Sequence, residues 1–301
     1  MIRIRHYIYP IHEVAEYINW IYFFHAWGFG PRFASIADIH GCDSCRAMWL
    51  TSFPEDERAK ASEAMQLHKE AMRMINRIDG NYHTHGICRL CAANADGDDL
   101  ILDGIRFPLL RQQTSVNAKG PYLCLSDFVR PLPMHEPDCV GVFATTVEEG
   151  IEALYTDDPY RHLLAQTLSD RLAEATAEVM HRDVRRQFWG YAPNESLSIK
   201  KLHREEFQGI RPAVGYPSLP DQSVNFLLDE LLNLKSIGIT LTEHGAMIPH
   251  ASISGLMMAH PSSHYFSIGE ITHEQLIDYA KRRGLPVEEL NKYLNSILSP
   301  K

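Results

Sequence analysis

Apolar residues recur at helical spacing over residues 11–27, at Val14, Ile18, Ile21 and Tyr22, and Gly28 with Gly30-Pro31 closes that pattern. A second helix is predicted from Pro54-Glu55-Asp56-Glu57, where proline opens the first turn and the acids face the positive end of the helix dipole. Its buried face runs through Ala64, Met65, Leu67, Met72 and Ile75, and Gly80 ends it. The period then changes. Residues 83–92 and 98–107 read as a hairpin turning at Asn94-Ala95-Asp96-Gly97, and residues 138–147 as a further strand. A long amphipathic helix follows Asp157-Asp158-Pro159, with Leu164, Leu168, Leu172, Val179 and Val184 on its buried stripe, and stops near Trp189-Gly190. Asp221 is placed to cap a helix reaching Leu234. Strands 239–247, 252–259 and 264–270 are expected as an antiparallel set, and helices 272–283 and 286–298, divided by Gly284, complete the pattern.

One segment fits neither period. Residues 209–221, Gly-Ile-Arg-Pro-Ala-Val-Gly-Tyr-Pro-Ser-Leu-Pro-Asp, hold three prolines and two glycines, which exclude a helix or a central strand. The segment is too short and too apolar for a disordered linker, so it is expected as an ordered extended loop, a common place for function. Pro212 biases Arg211 toward extended geometry, from which the guanidinium projects. Gly215 admits close approach of a ligand to the main chain, and Tyr216 offers an aromatic face. An arginine fork suits a carboxylate, and aromatic faces suit a sulfonium or adenine. As an exposed loop residue, Arg211 is expected to add little stability.

Composition narrows the classes. The chain has 301 residues, 45% hydrophobic and 22% charged, an ordinary globular balance. A net charge of −9 disfavours a general nucleic-acid or anionic-membrane binder. The start, Met1-Ile2-Arg3-Ile4-Arg5-His6, lacks the apolar run of a signal peptide, and the most apolar stretch, residues 17–29, is too short to span a bilayer. Six cysteines are too sparse for a disulfide scaffold, so a reducing, cytoplasmic setting is expected.

Other motifs carry less. Cys42/Cys45 and Cys88/Cys91, with His40, His83 and His85 nearby, suggest zinc, but 42 residues separate the pairs, against about 15–20 in zinc ribbons. If 83–92 is a strand, positions 88 and 91 also point to opposite faces. Asp38-Ile39-His40 matches the start of the D-x-H-x-x-G signature of cobalamin-carrying modules, yet Asp43 holds the glycine position and the surrounding parallel unit is missing. Gly28-Phe29-Gly30 follows a helix, which is the wrong context for a phosphate loop. Arg182, Arg185 and Arg186 read either as a cationic last turn or as a docking patch for an acidic partner.

Longer segments are more specific. Trp189-Gly190-Tyr191-Ala192-Pro193-Asn194-Glu195, Arg204-Glu205-Glu206-Phe207-Gln208-Gly209-Ile210-Arg211-Pro212-Ala213 and Gly215-Tyr216-Pro217 closely resemble the reactivation domain of cobalamin-dependent methionine synthase. Tyr17-Ile18-Asn19-Trp20, Leu110-Arg111-Gln112-Gln113, Asp170-Arg171-Leu172-Ala173-Glu174, Leu241-Thr242-Glu243 and Ala251-Ser252-Ile253-Ser254-Gly255 are similar in the same order, from about residue 11 to residue 298. The resemblance implies an α+β fold, a single C-shaped domain with a central antiparallel sheet flanked by helices. It spans residues 1–301, with 1–10 an N-terminal extension. It also implies an S-adenosylmethionine (AdoMet)-binding protein that supports reductive remethylation of cobalamin. The cobalamin is held by a methionine synthase or related corrinoid protein acting in trans, and a flavodoxin-like protein is the possible electron donor. The other modules of the full enzyme do not fit into 301 residues, so the chain is not expected to make methionine alone. The alternative is a non-enzymatic corrinoid-protein partner that kept the scaffold and lost AdoMet binding.

By the same resemblance, Arg211 pairs with the AdoMet carboxylate and main-chain groups around Ala213 meet the adenosine. Tyr216 and Tyr265 line the pocket, and Glu174 and Glu205 lie near the ligand and the cobalamin interface. No catalytic acid–base pair and no metal ligand is implied. Three positions depart from the family pattern: Asn19 replaces the aspartate that holds the ligand amino group, Phe266 replaces a second tyrosine, and Ile248-Pro249-His250 replaces Trp-Pro-Gly. Exchanging a charged acceptor for a neutral amide at Asn19 forfeits about 1 kcal/mol.

Overall fold

The computed structural model describes residues 3–39, 42–113, 121–134, 136–151 and 153–299. Six strands pair in one antiparallel sheet: β1 (Arg3–Pro10), β2 (His83–Asp96), β3 (Asp99–Leu102), β4 (Ile105–Pro108), β5 (Asp138–Val147) and β8 (Ser252–Met257), while β6 (Thr240–Leu241) and β7 (Met247–Ile248) form a separate small hairpin. The order is β4-β3-β2-β5-β8, and β1 pairs with the first half of β2, so the stretch expected as an N-terminal extension supplies an edge strand from residue 3 onward.

Both faces of this sheet are covered, which is why β5 reads as an almost unbroken apolar run. Cys88, Leu90, Phe143 and Val147 pack under α1 (Ile11–Ala15), α2 (Trp20–Ala26), α4 (Arg58–Ile78) and α5 (Pro159–Asp183). Ile87, Cys91, Val140, Val142 and Ala144 pack on the other face with α7 (Asn225–Leu232). Cys88 and Cys91 therefore lie on opposite faces, as their spacing requires, and among the described residues no cluster of three or more metal-ligating side chains forms. His40 lies outside the described residues. A third core joins α8 (His273–Arg283) to α9 (Val287–Leu294). Among the described residues, no helix is long and apolar enough to cross a membrane.

The long helix matches expectation: Asp158 accepts the Arg161 N–H at 3.1 Å, Pro159 opens the first turn, and all five stripe residues are buried. Elsewhere local chemistry redirects the pattern. Residues 11–27 form two helices, because Asn19 adopts an extended backbone and accepts the Ile21 N–H at 3.2 Å as the cap of α2. The predicted second hairpin strand folds again at Asp103-Gly104, both left-handed, giving β3 and β4. The Asp103 carboxylate stabilises that turn by accepting from the Ala92 N–H at 2.9 Å and from Arg89 Nε at 3.0 Å. Residues 264–270 form no strand. They follow the proline segment instead, the Ile268 N–H donating to the Pro217 carbonyl at 2.9 Å.

His68 on α4 is wedged edge-on against Trp20, with ring centroids 4.5 Å apart, and burial lowers its pKa from 6.5 to about 4. The folded state thus takes up this proton less readily than the unfolded chain, and the stability it confers is full above about pH 6.5 and is lost toward pH 4. Urea unfolding at pH 7 and pH 5 should show the native protein losing about 1–2 kcal/mol more than His68→Phe over that interval. Equal losses would assign the acid sensitivity to other groups.

Candidate functional site

The proline segment lies along the outer edge of β8. Its backbone alternates as an extended chain must. Ile210 exchanges two hydrogen bonds with Met258 at 2.9 Å, the Pro212 carbonyl accepts from the Leu256 N–H at 3.0 Å, and the Val214 N–H donates to Ser254 at 2.9 Å. Proline is tolerated at 212 because this edge asks only for its carbonyl. The main-chain groups of Arg211 and Ala213 consequently face away from β8. There the Arg211 N–H donates to the Tyr265 hydroxyl at 2.9 Å, and the Ala213 carbonyl accepts from the Tyr216 N–H at 3.3 Å. Gly255 on β8 makes this docking possible. A Cβ on it would stand 2.2 Å from the Pro212 carbonyl oxygen and 2.9 Å from Ala213 Cα.

The Arg211 side chain turns inward. Its Nη2 donates to Glu178 Oε2 on α5 at 3.1 Å, both side chains being only 12% exposed. Arg211 thus lies on the long helix, which corrects the expectation of a guanidinium projecting from an exposed loop: extended backbone aims the side chain perpendicular to the strip, and α5 lies underneath. Arg211 Nε and Glu178 Oε1 are buried with no partner among the described residues. Glu205 has a left-handed backbone, φ 58°, and is exposed. Partial burial raises its carboxyl pKa, with Arg211 opposing and Glu178 adding to the shift. Burial likewise raises the Tyr265 hydroxyl pKa, against the pull of Arg211.

The structure thereby brings together Arg211, Glu205 and Tyr265. One turn further back on α5, Glu174 accepts from the Tyr216 hydroxyl at 2.5 Å, so Glu174, Tyr216 and Ala213 belong to the same strip. Two expected residues fall elsewhere. Asn19 lines a cleft of about 1580 Å³ with Trp20, His68, Lys200, His203 and Arg204. Phe266 joins an aromatic cluster with Phe128, 6.3 Å between centroids, and His264, 6.5 Å. His250 is exposed and pairs with Asp170 at 3.5 Å, one helical turn from Glu174.

Sequence reasoning missed the polar ladder on α5. Glu174, Glu178 and His181 follow one another at steps of four and three along α5, and Arg185 continues the row four residues on, in the π-helical turn Val184–Phe188 that extends the helix. Arg185 is completely buried and donates two hydrogen bonds to the Glu195 carboxylate, at 2.7 and 2.9 Å, which removes it from any surface docking patch. Arg182 pairs with its neighbour Asp183 at 2.7 Å. His181 is fully buried with neither ring nitrogen partnered among the described residues, and burial, reinforced by Arg185 and Arg211, drives its pKa well down and keeps it neutral. Charged residues at this spacing inside an apolar helix stripe were the available signal.

Comparison with known proteins places this geometry in context. The family described as vitamin B12 dependent methionine synthase, activation domain, matches residues 10–284. Among solved structures, the MetH reactivation domain bound to AdoHcy is similar at TM-score 0.85 and 33% sequence identity, over 99% of this chain and 91% of that one.

Truncating one member of a buried ion pair strands the other. Arg211→Ala should therefore lower unfolding stability by about 3–5 kcal/mol, measured by urea denaturation, with Glu178→Gln milder because it retains a hydrogen-bond acceptor. Gly255→Ala should cost about 1–3 kcal/mol through the clash with the strip, and should raise amide exchange over residues 210–214 above that elsewhere in the sheet.

Proposed function

The chain belongs to the activation-domain family of vitamin B12-dependent methionine synthase, and from that premise we propose that it binds AdoMet at the Arg211 strip and presents it to cobalamin held by a corrinoid-binding partner. The observation that carries this reading is the half-used fork of Arg211: a buried arginine anchored at Nη2 and left with an unpartnered Nε. A carboxylate is the group that satisfies such a donor. AdoHcy, which the similar MetH domain binds, is AdoMet without its methyl group and carries the same amino-acid end.

Each residue then has a task that needs no proton transfer. Glu178 and the Tyr265 hydroxyl hold Arg211 in place, from the side chain and the main chain respectively. The outward main-chain edge of the strip around Ala213, whose carbonyl also accepts from the Tyr216 N–H, meets the adenosine end. Tyr216, steadied by Glu174, supplies an aromatic wall. Glu205, whose backbone leads from the cleft to the strip, stands toward the partner. Asn19 meets the ligand amino group from the cleft side and Phe266 closes the aromatic end. Bound AdoMet supplies an activated methyl group, which reduced cobalt is nucleophilic enough to accept once the two are held in line. A flavodoxin-like protein supplies the electron that this reduction needs. In a reducing, cytoplasmic setting the protein would act in trans on its corrinoid partner.

The competing reading, a corrinoid-protein partner that no longer binds AdoMet, is favoured by two observations. The Asn19 amide is already used as a helix cap, and Phe266 has no hydroxyl to offer. Calorimetric titration separates the two: measurable heat on adding AdoMet supports the first reading, and none at millimolar ligand supports the second. Arg211→Lys should keep the fold and weaken AdoMet binding about tenfold, because a lysine cannot form the fork. In reconstitution with a separate cob(II)alamin-loaded partner, reductant and AdoMet, the methylcobalamin spectrum should appear, and omission of this chain should abolish it.

A further inference from the structure

The cysteines divide into two groups. Cys88, Cys91 and Cys124 are buried and Cys139 is half-buried. Burial pushes the Cys91 thiol pKa up to about 12 and those of Cys124 and Cys139 up to about 11, so these thiols stay protonated and inert. Cys42 and Cys45 are both exposed and in contact with one another, Sγ to Sγ 2.7 Å. They sit at the start of α3 (Asp43–Thr51), where Cys42 is the cap and its sulfur accepts the Cys45 N–H at 3.2 Å. A sulfur in that position receives the free amide donors and the positive end of the helix, both of which favour the thiolate. The side-chain contact between the two sulfurs is the largest cause lowering the Cys42 pKa, and the same contact raises that of Cys45.

We propose that Cys42 and Cys45 form a redox-active dithiol, with Cys42 the attacking sulfur and Cys45 the resolving one, that exchanges with small-molecule disulfides. In the first step the Cys42 thiolate attacks a disulfide, forming a mixed disulfide and releasing one thiolate. Cys45, losing its proton to solvent, then attacks Cys42 Sγ, closes the intramolecular disulfide and expels the second thiolate. The dithiol gives up two electrons, and one disulfide becomes two thiols. α3 also supplies Asp43, Arg46 and Leu50 to the cleft that holds Asn19, so the exchange takes place on the rim of that cleft. The inference stands apart from AdoMet binding and does not depend on it.

The test uses the native protein and oxidised glutathione, read by thiol titration, intact mass and peptide mapping. The expected product has four titratable thiols, two fewer hydrogen atoms, and a disulfide inside the peptide spanning 33–46. Cys45→Ser should accumulate a glutathione adduct on Cys42, and Cys42→Ser should react about tenfold more slowly. Six thiols remaining after treatment, a disulfide mapped to any other pair, or equal reaction rates for the two serine variants would overturn the proposal. Both substitutions are at exposed positions, so the fold is not at issue.

Discussion

A guanidinium taken out of water must be met by an opposite charge, and Arg211 is met by Glu178 on the long helix. That requirement ties the outer edge of the sheet to the helix layer beneath it. It also sets the position of the strip: Ile210, Pro212 and Val214 bind β8, leaving Arg211 and Ala213 with their main-chain groups turned outward. The same contact leaves the Arg211 Nε–H without an acceptor among the described residues.

The long helix is therefore more than a packing element. Its apolar stripe presses on β5, and a polar row carries Glu174, Glu178 and His181 on to Arg185 in the π-helical turn that follows. Each charged member of that row meets a segment distant in sequence: Glu174 meets Tyr216, Glu178 meets Arg211, and Arg185 meets Glu195. His181 is fully buried, which disfavours a charged ring, and the two nearby arginines oppose a third positive charge, so it stays neutral. The ladder gathers the 189–195 segment and the strip onto one rigid support.

Much of this was legible in advance. The bounds of β5, the proline start of α5 and the Gly284 break between α8 and α9 follow from local rules that tertiary context did not contest. The opposite facing of Cys88 and Cys91 follows from the two-residue period of a strand. The strip is legible as ordered and extended because its prolines forbid helix and central strand. Misreadings arose where a short polar side chain competed with periodicity: Asn19 divided one predicted helix, and Asp103 with Gly104 divided one predicted strand. Residues 264–270 had the alternation of a strand but found their partners in the proline segment, with Tyr265 bonded to Arg211 and Ile268 to Pro217.

The chain by itself determined which residues were available for chemistry, since identity and local period are properties of neighbours in sequence. It placed Arg211 on extended backbone, Tyr216 beside a glycine and Glu174 on a helix. Only the folded structure decided where those groups point and what they meet, because burial and ion pairing are made between segments many residues apart. Arg211 and Glu178 are 33 positions apart, and no local rule states that one will neutralise the other. The same holds for Asn19 and Phe266, which the folded chain turns toward a neighbouring cleft and an aromatic cluster.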